Sequence, residues 1–305
     1  MIAVTRWIPA EAVSLLATAG RTVVSPPDRP LTHDELCVAV SGATAVVCLL
    51  HDRIDAAVLD AAGPSLRVVA NVAVGYDNID VAACRDRGVV VTNTPDVLVD
   101  ATADLTLALL LAVTRRLVEG DQLLRRREPW TWSLGFMLGT GLQGKRLGLV
   151  GNGRIAQAVA LRARVFGMEV VTTSRSGGLP LDELLATSDV VSLHCPLTPQ
   201  THHLIGAGSL AAMKQTAFLV NTARGPVVDE AALADALEQG SIAGAALDVF
   251  EYEPQVSERL LASDRVVLTP HLGSATTETR TAMAVLAARN VVDVLSGGPG
   301  ITPVS

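Results

Sequence analysis

Short apolar runs recur almost from end to end of this chain, at 45–50, 66–70, 89–92, 146–150, 169–173, 190–193, 217–221, 245–249 and 266–269. Each is bounded by Gly, Pro, Asp or Asn. A run that is apolar on both faces suits a parallel strand covered by helices on either side, whereas a half-solvated strand would alternate. Between the runs lie Ala- and Leu-rich stretches of helical character. Strands alternating with helices predict an α/β protein, here two doubly wound parallel-sheet units with a cleft between them.

A boundary falls near Pro95, where a strand ending in Thr92 and Asn93 meets Thr94-Pro95. The stretch 100–116 reads as one long helix, apolar nearly all round, and therefore buried in its own domain or against a second subunit. A last helix at 277–296 follows the final strand and would pack back on the first domain. The expected division is 1–97 plus 277–305 for one domain and 98–276 for the other.

Composition narrows the function. With 49% apolar and 18% charged residues over 305 positions, the chain can bury a large core and is not a disordered polyelectrolyte. A net charge of −7 argues against sequence-independent nucleic-acid binding. The 24 basic residues are 22 Arg and only Lys145 and Lys214, so lysine chemistry has two candidates and anion recognition falls to arginine. Cys37, Cys48, Cys84 and Cys195 form neither a C-x-x-C pair nor a zinc spacing, which fits a reducing compartment. The N-terminus lacks the apolar core of a signal peptide, and the run 107–113 is too short to span a membrane. A cytoplasmic protein without membrane partners is expected.

The sharpest local motif is Arg146-Leu-Gly-Leu-Val-Gly151-Asn-Gly153-Arg154-Ile155-Ala156, a strand running through a glycine turn into a helix. Gly151 permits the tight turn, Gly153 lets backbone approach a pyrophosphate, and Ala156 lets helix and strand close up. The helix N-terminus then offers N–H groups and partial positive charge to the phosphates. The next strand ends in Ser174-Arg175-Ser176, with no acid before Asp182. A carboxylate there would favour a ribose 2′-OH, while a hydroxyl and a guanidinium suit a 2′-phosphate. NADPH is therefore expected over NADH, with NADH still possible.

Three polar residues follow later strand ends, where open α/β sheets place their ligands. Arg224 lies in Asn221-Thr-Ala-Arg-Gly-Pro-Val-Val-Asp-Glu230, Glu253 in Leu247-Asp-Val-Phe-Glu-Tyr-Glu-Pro254, and His271 in Leu268-Thr-Pro-His-Leu-Gly-Ser274. Asp229 reads as the cap of the helix that follows it.

With Asn71-Val-Ala-Val-Gly-Tyr-Asp-Asn-Ile-Asp80 and Leu193-His-Cys-Pro-Leu-Thr-Pro199, these segments make the chain resemble the D-isomer-specific 2-hydroxyacid dehydrogenases over almost its whole length. Within that family it looks most like the glyoxylate/hydroxypyruvate reductases. The resemblance implies reduction of a small 2-oxo acid to the D-hydroxy acid. Arg224 would grip the carboxylate and carbonyl oxygens, a bidentate task that lysine performs poorly. His271 would donate the proton during reduction, and Glu253 would orient its imidazole and favour the charged form.

By the same resemblance, the N–H groups at Val74 and Gly75 bind the substrate carboxylate. Arg154, Ile155, Pro196, Thr222 and Asp248 line the cofactor or substrate, and Gly273 and Ser274 flank the histidine. Trp132, in a W-x-W one residue shorter than the family's W-x-x-W, would reach a neighbouring subunit's active site. A homodimer built on the helical region 100–127 is expected. A reductase of bulkier aryl-pyruvates, a formate- or phosphite-oxidising relative, and a dinucleotide-sensing corepressor are the alternatives.

Other features read as structural. Cys195 has only His194 beside it, and neighbours along a strand point to opposite faces. His202 and His203 have no Cys or acidic partner at useful spacing, so a plain surface position is expected rather than a metal site. Arg125, Arg126 and Arg127 read as a solvated helix end, and Asp77, Asn78 and Asp80 as a turn and helix cap.

Overall fold

The computed structural model describes residues 1–26 and 29–304. The chain divides into two compact units, Met1–Leu98 with Ala275–Ser305, and Val99–Ser274. Unit 1 holds strands β1 (Ile2–Val4), β2 (Thr22–Val24), β3 (Ala45–Cys48), β4 (Val68–Asn71) and β5 (Val90–Thr92). They lie in the order β2-β1-β3-β4-β5, every pair parallel. Helices α1 (Ala10–Ala17), α2 (His33–Val40), α3 (Ala56–Ala62) and α4 (Val81–Asp86) make the crossovers.

Every residue of β1, β3 and β4 is buried, which is why those strands carry no alternation. Alternate side chains serve opposite faces. Val46 and Val69 pack with Leu36, Val58 and Leu59, while Val47, Val68 and Ala70 pack with Leu16 and the C-terminal helix Thr277–Leu295. Ala284, Ala287 and Ala288 let that helix close on the sheet. Each fully buried Val or Leu contributes roughly 1.5–3 kcal/mol. Polar side chains start the helices. Thr32 and Glu35 form a capping box on α2, and Asp55 and Asp80 accept from the first turns of α3 and α4.

Unit 2 begins with α5 (Val99–Thr114) and α6 (Leu117–Arg125), then β6 (Arg146–Val150), α7 (Arg154–Val165), β7 (Glu169–Ser174) and β8 (Gly177–Gly178). After these come α8 (Leu181–Thr187), β9 (Val190–Leu193), α9 (Ala207–Ala212), β10 (Phe218–Asn221) and α10 (Glu230–Glu238). The unit closes with β11 (Gly244–Leu247), α11 (Glu258–Leu261) and β12 (Val266–Leu268), and the C-terminal helix of unit 1 is α12. The sheet order is β12-β11-β10-β9-β6-β7-β8, parallel except for the β7–β8 hairpin. Both units are doubly wound α/β folds, as the apolar runs predict.

The helix expected at 100–116 is α5, continuous but two residues shorter at its end. α5 ends at Thr114, and Arg116 takes φ +54° before α6 starts. The cause is distant in sequence. The N–H of Thr140 donates to the Thr114 carbonyl (2.8 Å), and Gly139 lies so close that a Cβ there would sit 2.5 Å from that oxygen. Both lysines face one acid, since Lys214 Nζ lies 3.0 Å and Lys145 Nζ 4.0 Å from Asp189 Oδ1. Among the described residues, no helix is long and apolar enough to cross a membrane.

Candidate active site

The glycine turn leaves β6 next to β9, where the winding of the unit-2 sheet reverses direction, the place at which such sheets bind ligands. Gly151 has φ +111°, and a Cβ there would stand 2.6 Å from the His194 carbonyl oxygen, so only glycine fits. Gly153 is different. A Cβ built on it meets nothing within 4 Å among the described residues, which leaves its backbone open to a ligand. The first α7 bond runs from Gln157 N–H to the Gly153 carbonyl, and no side chain at Gly153 caps the first turn. Ile155 is half-buried and Ala156 fully buried against the sheet. The turn therefore fits a dinucleotide pyrophosphate.

At the end of β7, the Ser174 hydroxyl donates to the Gly177 carbonyl (3.0 Å) and lies 3.0 Å from Ser176 Oγ. It closes the β7–β8 hairpin, which leaves the exposed Arg175 at the tip. Gly178, at φ +106°, is required there, because a Cβ would strike the Thr172 carbonyl oxygen. Burial pushes the Cys195 thiol up, which suits a wall residue rather than a nucleophile. Pro196 is exposed beside it, and its carbonyl accepts from Thr201 Oγ1 (2.7 Å).

Arg224, Glu253 and His271 sit beyond the ends of the adjacent strands β10, β11 and β12. Asn221 braces the first loop by donating to the Arg224 carbonyl (2.9 Å) and accepting from the Ala223 N–H (3.0 Å). Gly225 lets that loop press on the next, since a Cβ there would overlap the Phe250 carbonyl. Thr222 Oγ1 lies 3.0 Å from Thr106 Oγ1 of α5. One Glu253 oxygen accepts from the Phe250 N–H (3.0 Å), and the other lies 2.9 Å from His271 Nδ1. A carboxylate only accepts, so Nδ1 carries the proton and Nε2 faces away from Glu253.

His271 adopts φ +54°, uncommon outside glycine. Asp248 holds it there. Its carbonyl accepts from the His271 N–H (2.8 Å), and its carboxylate accepts from Thr269 Oγ1 (2.6 Å), Leu272 N–H (2.7 Å) and Gly273 N–H (2.8 Å). Burial pushes the Asp248 carboxyl up despite these donors. Both its oxygens are engaged in the histidine loop, while Ser274, half-buried, ends the loop.

In unit 1, the Val74 and Gly75 carbonyls accept from Asn93 Nδ2 and Asn71 Nδ2, each at 2.8 Å. In a trans peptide the N–H points opposite the carbonyl, so the Gly75 N–H is turned away from Asn93. Trp132 lies on the surface of unit 2, 73% exposed, while Trp130 stacks on Phe136 with ring centroids 6.0 Å apart.

The bracing residues Asn71, Asn93, Asn221 and Asp248 escape a motif reading as brackets of the site. Their signal is a polar residue at or just past the end of an apolar strand. The plain surface reading holds for His202, which is exposed, but His203 needs correction. His203 Nε2 lies 2.7 Å from Glu251 Oε1, an acid 48 residues away that the fold brings into reach and sequence spacing cannot show. Asp229 caps α10 and Asp80 caps α4, as expected.

Known proteins carry the same frame. The family profile for the D-isomer specific 2-hydroxyacid dehydrogenase NAD-binding domain matches residues 107–273. A glyoxylate reductase of Thermococcus gammatolerans is 46% identical over 96% of this chain and 92% of its own length. That of Pyrococcus furiosus is 47% identical over 95% and 90%. A crystal structure from Thermus thermophilus superposes with TM-score 0.95 at 47% identity, covering 100% of this chain and 99% of that one. An NADPH-dependent glyoxylate/hydroxypyruvate reductase of Sinorhizobium meliloti, solved with NADP and malonate, gives 0.86 at 36% identity over 100% and 96%. The fold and the strand-end constellation define an NAD(P)-type oxidoreductase. The chain belongs to the D-isomer-specific 2-hydroxyacid dehydrogenase family.

Proposed function

We propose that the protein reduces small 2-oxo acids, glyoxylate and hydroxypyruvate foremost, using NADPH in preference to NADH. The observation that carries this reading is His271 Nδ1 at 2.9 Å from Glu253, beyond the ends of β12 and β11, the latter beside β10, which precedes Arg224. The substrate class draws support from the relatives named glyoxylate reductase, and the coenzyme from the Sinorhizobium enzyme. The coenzyme, when bound, supplies a hydride to C2 of the oxo acid. The glycine turn at Gly151 and Gly153, with Arg154 and Ile155, holds its pyrophosphate, and Pro196 and Thr222 line its path. Arg175 takes the 2′-phosphate, and Ser174 acts by closing the hairpin that presents it.

Arg224 holds the substrate carboxylate and draws charge from the carbonyl as negative charge develops on oxygen. His271 delivers the Nε2 proton to that oxygen and takes it back in oxidation, while Glu253 keeps the ring and its tautomer in place. Asp248 acts through His271, as a positioning residue, and Gly273 and Ser274 complete the loop. The amides of the Val74–Gly75 turn serve the substrate carboxylate. Leu117, Val118, Leu124, Trp130, Trp132, Leu134 and Leu138 are all exposed, an apolar surface that a second copy would cover in a homodimer. The four free cysteines suit the reducing cytoplasm.

The test follows coenzyme oxidation with glyoxylate, hydroxypyruvate, pyruvate and phenylpyruvate, using NADPH and NADH in turn. The first two substrates with NADPH are expected to show the highest kcat/KM, and Ser174→Asp to move the preference towards NADH. A clear NADH preference in the wild type defeats the coenzyme assignment. Coenzyme binding without turnover of any 2-oxo acid defeats the activity.

A further inference from the structure

The β9–α9 loop and the segment after β11 bring together two imidazoles and a carboxylate that the proposed reaction does not use. Successive side chains on an extended backbone point apart. Here His203 takes φ +51°, and the turn swings both rings to one side, with His202 and His203 centroids 4.1 Å apart. The turn is held by His202 N–H to the Thr198 carbonyl (3.0 Å) and by His203 N–H to the Pro226 carbonyl (2.8 Å).

Glu251 arrives from the other side, 2.7 Å from His203 Nε2. Its second oxygen accepts from the Glu230 N–H (3.3 Å) at the start of α10, and its own N–H donates to the Glu230 carboxylate. The carboxylate is thus aimed and supported from behind, as metal ligands usually are. One ligand atom from each of His202, His203 and Glu251 lies within 4.8 Å of the other two. Metal–nitrogen bonds of about 2.0–2.1 Å place the ligands of a tetrahedral site roughly 3.3 Å apart, so the three ligand atoms would draw together on a bound ion.

We propose that His202, His203 and Glu251 form a binding site for a divalent transition metal of the zinc class. Two imidazole nitrogens and one carboxylate oxygen are a borderline donor set. It selects Zn2+, Co2+ or Ni2+ over Mg2+ or Ca2+, and three protein ligands leave a position for water. Negative charge is crowded at this point. Glu230 and Glu251 each hydrogen-bond to the other's backbone N–H, so two carboxylates lie close together here. The exposed ring of His202 gives entry from solvent. Bound metal would also tie the loop after β9 to the segment that carries Glu253 two residues further on.

The test titrates the full-length protein with Co2+ near neutral pH, following the visible absorption band, and measures Zn2+ uptake by equilibrium dialysis. One equivalent is expected, with affinity falling at least about tenfold in both His202→Ala and Glu251→Gln. Glu251→Gln also disturbs the Glu230 contact, so His202→Ala, which trims an exposed ring, is the deciding variant. Failure of the wild type to take up either metal at submillimolar concentration overturns the site. So does uptake by His202→Ala equal to that of the wild type. In either case the His203–Glu251 pair is a hydrogen-bonded brace only.

Discussion

Two histidines of unit 2 follow parallel strands of the same sheet, His194 after β9 and His271 after β12, yet their surroundings differ throughout. His194 Nε2 meets a neutral hydroxyl, Ser192 Oγ at 2.9 Å, and burial pushes its pKa down to about 4. It is uncharged near neutrality and has no proton to give as a cation. His271 meets a carboxylate, sits on a backbone turned to φ +54°, and is held there by Asp248. Position at a strand end does not by itself make a histidine an acid catalyst. The partner on the far nitrogen and access for a ligand at the near one decide it.

Replacing Glu253 by an amide gives His271 a neutral partner like the one His194 has. Glu253→Gln should lower kcat about a hundredfold, the lower end of what positioned proton transfer contributes, with NADPH affinity unchanged by fluorescence titration. Wild-type kcat in this variant would show that the carboxylate is not needed. Asp248→Asn keeps the shape, but its NH2 accepts no hydrogen bond, so either the Leu272 or the Gly273 N–H loses its acceptor. A buried donor left unpaired costs about 1–3 kcal/mol, so thermal unfolding should shift down by several degrees. An unchanged Tm would mean that the loop does not depend on Asp248.

The smallest effect is on the His194 side. Its folded pKa of about 4 lies below the usual value of about 6.5. Its contribution to stability is therefore complete above about pH 6.5 and is lost as pH falls towards 4, because the unfolded chain binds the proton first. His194→Gln should flatten the fall in Tm across that window while leaving turnover near neutrality within a few-fold. An unaltered pH profile would place the acid sensitivity elsewhere.

The sequence made some of this legible and hid the rest, and the dividing line is the range of the interaction. Buried parallel strands such as β3 and β4 are near-continuous apolar runs, and the turn at Gly151 and Gly153 is a local motif, so both can be read directly. Arg224, Glu253 and His271 are legible through the segments around them. The end of α5 is not, because its cause is the return of Gly139 and Thr140 onto Thr114. Nor is the meeting of His203 with Glu251, 48 residues apart, or the grip of Asn93 on the Val74 carbonyl, 19 residues apart, since each joins residues from different elements. Ser174 shows a subtler limit. A hydroxyl at the right strand end suggests a ligand, while in the fold its proton goes to the Gly177 carbonyl.

The most direct test of the distinction is steady-state reduction of glyoxylate by NADPH in His271→Ala and His194→Gln, assayed side by side with coenzyme affinity measured in both. A loss of about 10²–10⁴-fold in kcat is expected for His271→Ala, with coenzyme binding intact, and near wild-type turnover for His194→Gln. Equal losses in the two variants, or wild-type turnover in His271→Ala, would contradict it.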